Sequence, residues 1–339
     1  MPHALMCPQC NAPLAPQRFA SFVVCAYCGT TVQLDESAVS VELFHEAFRF
    51  WNAPQSYQIP AWVSLGDRHW AIGELIAHGA LADVYAGRRA RWPTELVLLK
   101  ILREGQEAAR FDHEWNALQT LQKSEAPGAD TFTTLIPQPI LHGDLTGGTF
   151  AGRRASIFRW ASGFQHTFED VLRVYPQGIP PRASIWVWRR ILEVLSFLHA
   201  SGMAHGAVLP AHLLVQENEH GVRLVGYGYA GRIGEKMPAP PPGTQAFYSQ
   251  PARPWATLTA QLDLVMSARC LVAILGGNPA TAALPEAVPP QLAGLVQQVA
   301  LSKPGRAVDQ DAWAIREELG AIASAVYGPP QFMPIVMPD

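Results

Sequence analysis

Two cysteine pairs near the start of the chain, Cys7-Pro-Gln-Cys10 and Cys25-Ala-Tyr-Cys28, constrain it more tightly than any other feature. Fourteen residues separate the pairs, and only Cys270 lies elsewhere. Two intervening residues let both thiolates of a pair reach one ion, because the tight turn between them aims backbone N–H groups at the sulfurs. Two such turns on neighbouring hairpins complete a tetrahedral set of four sulfurs, which suits zinc. Gly29, directly after the second pair, fits that turn. Disulfides are disfavoured in a chain whose N-terminus shows no basic-then-apolar signal segment. A thioredoxin-type dithiol would sit at a strand–helix junction of a larger unit. Residues 1–40 therefore read as a zinc ribbon with Cys7, Cys10, Cys25 and Cys28 as ligands. Four thiolates leave no open coordination position, so the zinc is expected to be structural. The segment carries one arginine or lysine, Arg18, against Asp35 and Glu36, which argues against nucleic-acid binding. Phe19, Phe22 and Tyr27 suit either a protein contact or a cover for the small ribbon core.

The chain has 339 residues, 49% hydrophobic and 16% charged, with a formal net charge of -3. That composition excludes disorder as the main state. With a pI of about 6.4 there is no global electrostatic footprint for nucleic acid or an anionic membrane surface. No run approaches the ~18 apolar residues of a membrane span. The expectation is a soluble, cytoplasmic protein, and the preference for arginine, alanine and proline hints at a GC-rich bacterial genome.

Residues 41–65 read as a linker. VELFHEAFRFW within it has apolar residues at 41, 43, 44, 47, 48 and 51, compatible with a short amphipathic helix. From Gly66 to Tyr327 the chain alternates short strand-like runs, then helical ones. WAIGELIAHGALADVYAGRR and TELVLLKIL form a meander with turns at Gly79 and near Pro93. FDHEWNALQTLQ places Phe111, Trp115, Leu118 and Leu121 on one helical stripe. IPQPILHGDLTGGTFAGRRASIFRWASG reads as a hairpin turning at Asp144 to Gly148. The helices HTFEDVLRVY and RASIWVWRRILEVLSFLHASG, a strand pair in HLLVQENEHGVRLVG and further helices follow. Residues 328–339 hold four prolines and read as an extended tail. Five strands followed by a mainly helical lobe is an α+β pattern.

In this order the segments resemble a protein kinase domain over about 66–327, which implies a bilobal fold. LHASGMAHGAVLPAHLLV (198–215) is similar to that family's helix end and catalytic loop, LHxxGxxHRDLKPxNLLV. Lys100 in VLLK matches the strand lysine, and Glu114 in HEWNALQTL matches the helix glutamate that pairs with it. Only four lysines occur in 339 residues, so a lysine at that position is informative. GVRLVGYG (221–228) resembles the strand leading into the DFG segment. GTQAFYSQP (243–251) resembles the end of the activation segment, Asp263 the aspartate beneath the catalytic loop, and Arg306 the late arginine.

The departures from the family decide the functional reading. Phosphoryl transfer there relies on an Asp that orients the attacking hydroxyl and on an Asn and the DFG Asp that hold magnesium. The positions of these three are Ala207, His212 and Gly226, and the catalytic-loop lysine position is Leu209. Of the three glycine positions over the phosphates, Ala77, Gly79 and Ala82, only Gly79 is glycine. HGDL (142–145) also resembles the loop of small-molecule kinases, yet it precedes the long helix such a loop must follow, so it reads as a turn. His205 and Asp263 are expected to serve the scaffold, and Cys270 to be a small core residue.

The resemblance therefore implies a pseudokinase: a catalytically inactive kinase-like protein that binds protein partners as a scaffold or regulatory subunit. PAPPPG (238–243) and the tail are the candidate extended contact segments. ATP binding at the remnant site of Lys100, Glu114 and Gly79 is expected to be absent or weak, and magnesium-independent where it occurs. The competing reading is a divergent nucleotide-binding or phosphotransferase-like enzyme with a rebuilt site.

Overall fold

The computed structural model describes residues 3–4, 6–7, 10, 12–15, 22–29, 31–33, 38–39, 61–89, 96–216, 220–248, 257–302 and 311–338. The expected helix at 41–51, the turn near Pro93 and Arg306 lie outside these residues. Near the N-terminus, Phe22–Val24 pairs antiparallel with Thr31–Gln33, and His3–Ala4 pairs parallel with Ala38–Val39.

The first lobe is one antiparallel sheet. Its strands are β1 (Ala61–Leu65), β2 (Arg68–His78), β3 (Ala82–Arg89), β4 (Leu96–Leu102), β5 (Pro139–Asp144), β6 (Gly147–Gly148) and β7 (Arg154–Arg159), in the spatial order β6-β1-β2-β3-β4-β7-β5. The two outermost strands, β5 and β6, are joined by Leu145 and Thr146 alone. Two residues span at most about 7 Å, so the edges must meet and the sheet must curl. Gly148 makes the closure possible: at φ 90° a Cβ there would lie 1.7 Å from the Trp62 carbonyl oxygen. The period-2 alternation of β4 turns Val97, Leu99 and Ile101 into the curled interior with Trp70, Ile72 and Ile157. It turns Leu98 and Lys100 the other way, towards the helices.

Two features differ from the sequence expectation. β1 is built from residues assigned to the linker, and the hairpin loop is longer than Asp144 to Gly148, since the ladder with β5 resumes only at Arg154. Among the described residues the sheet thus has seven strands where five were expected.

α1 (Ala108–Gln122) follows β4 and buries Phe111, Glu114, Leu118 and Leu121. After the short α2 (Ala129–Phe132), the second lobe comprises α3 (Phe168–Val174), α4 (Pro181–Ala200), α5 (Ala260–Ile274), α6 (Pro290–Ala300) and α7 (Ala312–Tyr327). Each start has a local cause: a reciprocal capping box between Thr167 and Asp170, Pro181 and Pro290 at first positions, and caps from Thr259 and Asp311. α5 is buried nearly all round, α4 on every side but a stripe that includes Arg182, Arg189 and Ser196, and the two form the axis of the lobe's core. Short strands pack against it: β8 (His166–Thr167), β9 (Met203–Ala204), β10 (Leu213–Gln216), β11 (Gly221–Leu224) and β12 (Gly231–Arg232), with β10 and β11 forming the expected strand pair, which is antiparallel. Among the described residues no helix is long and apolar enough to cross a membrane.

Candidate functional site

The four N-terminal cysteines converge, with all sulfur atoms within 4.8 Å of one another. Cys7 and Cys28 sulfurs are 3.5 Å apart, and those of Cys10 and Cys25 are 3.7 Å apart, with no disulfide. A tetrahedral zinc–thiolate centre with bonds of about 2.3 Å has edges of about 3.8 Å, so the sulfur set fits a metal ion of that kind. Each knuckle closes on its backbone: Cys7 N–H donates to Ala12 O at 2.7 Å and Gly29 N–H to Cys25 O at 2.9 Å. Gly29 has φ 75°, the left-handed conformation for which its lack of a Cβ was expected to matter. Without a cation, burial pushes the pKa of the Cys10 thiol up to about 12. A bound divalent ion reverses that preference by favouring thiolate. Ala12 and Leu14 complete the small core. Phe19 and the side chain of Phe22 lie outside the described residues, and Tyr27 is half-buried.

The second candidate site is the cleft between the lobes. Lys100, facing out of the curled sheet, meets Glu114 of α1 with Nζ 2.5 Å from Oε2. The other Glu114 oxygen accepts from the Tyr227 N–H at 3.3 Å. The two residues singled out from sequence are thus brought together, and they tie the sheet and α1 to the loop after β11. Arg110 donates to the Tyr229 hydroxyl at 3.2 Å and His113 to Ala230 O at 2.5 Å, which fixes the same helix to the same loop.

Beneath the cleft, fully buried Asp263 accepts from His205 N–H at 2.7 Å and Gly206 N–H at 2.8 Å, and its Oδ2 lies 3.1 Å from His199 Nε2. It organises the loop without touching the cleft. Gly206 is a further departure, at the motif's arginine position; at φ 70° a Cβ there would meet the Tyr229 carbonyl oxygen at 2.8 Å. His205 lies edge-on to Tyr227 with ring centroids 4.6 Å apart. Burial lowers its pKa to about 4, so it is neutral near pH 7. Cys270 is fully buried in the core, as expected.

The degenerate positions are filled with packed atoms. Ala207 and Leu209 are buried and present no polar side chain. His212 donates from Nδ1 to Ala207 O at 2.8 Å, which turns its ring onto Gly226. A Cβ at Gly226, whose φ is 81°, would lie 2.5 Å from His212 Cδ2 and 2.6 Å from Nε2. The imidazole therefore fills the space a side chain at Gly226 would need. Burial also holds His212 below the usual histidine pKa.

The β2–β3 hairpin is closed in the same way. Gly79 N–H donates to Ala82 O at 2.9 Å, and Ala82 is fully buried against Leu102 and Phe111. Arg103 N–H donates to Leu81 O at 2.9 Å, tying the hairpin tip to the end of β4. His78 and Asp83 pair at 2.9 Å on its exposed side.

Sequence reasoning missed two clusters. One is His142, whose Nδ1 lies 2.8 Å from Ser156 Oγ and whose Nε2 lies 2.9 Å from Asp112 Oδ1. Arg154 binds Asp112 through two bonds of 2.8 and 3.0 Å, and its hydrogen bond holds Asp112 below the usual carboxylate pKa. The serine is 2% exposed and His142 stacks on Trp115, so the cluster clasps α1 to β5 and β7 and offers no nucleophile to solvent. HGDL accordingly lies at the end of a strand. The other cluster is Arg269, whose guanidinium donates to the carbonyls of Ala246, Tyr248 and Ala300.

The architecture is a protein kinase fold, α+β, with a four-cysteine cluster beside it. Over 84% of this chain and 91% of the other, it superposes on the crystal structure of the BubR1 kinase domain with TM-score 0.57 at 15% identity. Over 88% of this chain and 99% of the other, it superposes on the structure of vaccinia related kinase 3 with TM-score 0.61 at 17% identity. No family model and no curated protein matches the sequence.

Proposed function

We propose that this chain is a catalytically inactive kinase-like protein, a pseudokinase, that acts as a protein-binding scaffold or regulatory subunit and carries a structural zinc. The observation that carries the reading is the imidazole of His212 packed on Gly226. Both protein ligands for magnesium are absent there, and a neutral ring fills their space. With Ala207 in place of a carboxylate, nothing at that position accepts the proton of an attacking hydroxyl. α1 is bound from three directions, by Lys100, by the Tyr227–Ala230 loop and by the His142–Asp112–Arg154 cluster, which would hold a docking surface fixed. Pro238–Gly243 has no regular secondary structure and exposes Ala239 and Pro242, as a contact loop for an extended partner segment would.

The zinc-loaded full chain, incubated with labelled ATP and Mg²⁺ or Mn²⁺, is expected to show no protein-dependent phosphoryl transfer. Transfer that Lys100→Ala abolishes would overturn the proposal in favour of an enzyme with a rebuilt site. Lys100 and Glu114 form the ion pair that the resemblance associates with nucleotide binding, which favours a second reading, ATP binding without turnover. A rise in melting temperature with millimolar ATP in the absence of metal would support it.

A further inference from the structure

The C-terminal segment, read from sequence as an extended tail for partner contact, is held by the protein itself. Phe332 stacks face to face on His220, with centroids 4.0 Å apart and planes at 9°. His220 in turn stacks on Trp186 of α4 at 4.2 Å and 3°. The carbonyl of Met333 accepts two bonds of 2.9 Å, from Trp186 Nε1 and His220 Nε2. Ile335 is 3% exposed and joins the core of the helical lobe. Beyond it, the Tyr175 hydroxyl donates to Val336 O at 2.8 Å and accepts from Val336 N–H at 3.1 Å. Arg182 donates to the carbonyls of Tyr327 and Pro329. Side chains thus bind backbone groups of an extended strap, and apolar side chains three residues apart enter the body. Pro334 and Pro338 have no N–H to leave unpaired, so the strap needs no β partner.

The four-thiol ribbon forms the other wall. Phe332 packs against the ribbon core of Cys7, Ala12, Leu14 and Cys25. Tyr27, in the knuckle between Cys25 and Cys28, stands edge-on to both His220 and Phe332, with centroids 4.8 and 5.9 Å away. The Arg190 guanidinium of α4 lies 5.7 Å from the Tyr27 ring centre. One wall of the Phe332 socket is therefore made by residues whose positions depend on the thiols being gathered.

We infer that the ribbon and the helical lobe together form a peptide-binding groove occupied by the chain's own segment Pro329–Pro338, and that metal loading of the thiols is coupled to seating of that segment. A ribbon with so small a core loses its order without metal, and the socket then loses its Tyr27 wall. Coupling between two sites is reciprocal, so whatever factor the metal adds to seating, the seated strap adds to metal affinity. The ligand class is an extended peptide with an aromatic residue, an aliphatic one three positions later, and proline between.

The test uses the full chain under reducing conditions. Hydrogen exchange followed by mass spectrometry compares the zinc-loaded protein with the same protein after chelation. Amides of residues 331–337 should exchange at least tenfold faster once zinc is removed, while the middle of α4 exchanges unchanged. Equal exchange of the tail in both states would overturn the inference. In the reverse direction, Phe332→Ala should weaken zinc retention against a competing chelator by a factor within roughly 5- to 150-fold. Tyr175→Phe loosens the far end of the strap and touches no part of the ribbon, so it keeps the test sound where Phe332→Ala disturbs folding. It should weaken zinc retention in the same direction, about twofold. Zinc retention equal to wild type in Tyr175→Phe and in a folded Phe332→Ala would also overturn it.

Discussion

Placing at position 226 the carboxylate that the resemblance implies there, by Gly226→Asp, should destabilise the protein, and the amount can be worked out from the contacts. Gly226 has φ 81°, and a non-glycine residue in the left-handed region costs about 1–2 kcal/mol. The new Cβ would also lie within 2.7 Å of three atoms of the His212 ring, which must move from a buried site against its bond to Ala207 O. Overpacking of that kind costs about 1–3 kcal/mol. The single substitution should therefore cost about 2–5 kcal/mol. His212→Asn removes the ring, so in that background only the backbone share of the cost remains. The double-mutant cycle should show a favourable coupling of about 1–3 kcal/mol between the two sites. Urea unfolding of the four proteins, followed by far-UV circular dichroism with zinc present and with slopes compared, measures it directly. Effects that add within about 0.5 kcal/mol would refute the claim that His212 fills the space of a side chain at Gly226. The double variant should still transfer no phosphate, because Ala207 and Leu209 remain.

Asp263→Asn should cost about 2–4 kcal/mol, since an amide turns its NH₂ towards one of two buried N–H donors and leaves it unpaired; a melting temperature within 2 °C of wild type would contradict a scaffold role. Stability should also fall as the pH drops from about 6.5 to 5. Burial lowers His205 to about 4 and His220 to about 3, so the unfolded chain takes up protons in that window and the folded one does not. Their stabilisation is complete above the unfolded value and is lost progressively below it, about 3 kcal/mol for His205 alone once the pH has reached 4. Carboxylates held down by arginine, such as Asp112 and Glu193, add their loss only at lower pH. A flat profile of urea midpoints between pH 7 and 5 would contradict the neutral, buried assignment of these rings.

What was legible in the sequence is what depends on residues close together or on a fixed order of motifs. The cysteine spacing predicts the thiol cluster, and the order of Lys100, Glu114 and the 198–215 segment predicts the fold and the pairing of the first two. Contacts between scattered residues left no such trace. His142, Asp112 and Ser156 sit on three elements, and nothing in their neighbours marks them as one cluster. β6 is two glycines, with no side-chain alternation to read. The groove for the tail draws on Tyr27, Tyr175, Trp186, Arg190 and His220, so Phe332 to Met337 looked like any proline-broken terminus. One signal was present: an end segment carrying Phe332, Met333, Ile335, Val336 and Met337 is too apolar to favour full solvation. Treating such a segment as a ligand in search of its own surface would have found it.

The departures at His212 and Gly226 gain meaning from that same long-range packing. Read singly, each is a departure from the magnesium ligand that the resemblance implies at its position, to be reversed one residue at a time. In the structure they are one feature, because the imidazole is held over the glycine by Ala207 O and the glycine's bare Cα is what admits the ring. Ala207 takes part twice, through a side chain that carries no carboxylate and through a carbonyl that orients His212. Positions that interlock in this way define a packed arrangement of their own, which under the proposed reading lets a binding module keep the rigidity of the fold without catalytic groups. That arrangement predicts strongly non-additive behaviour for any stepwise return to a metal site, which independent erosion of the same positions would not produce.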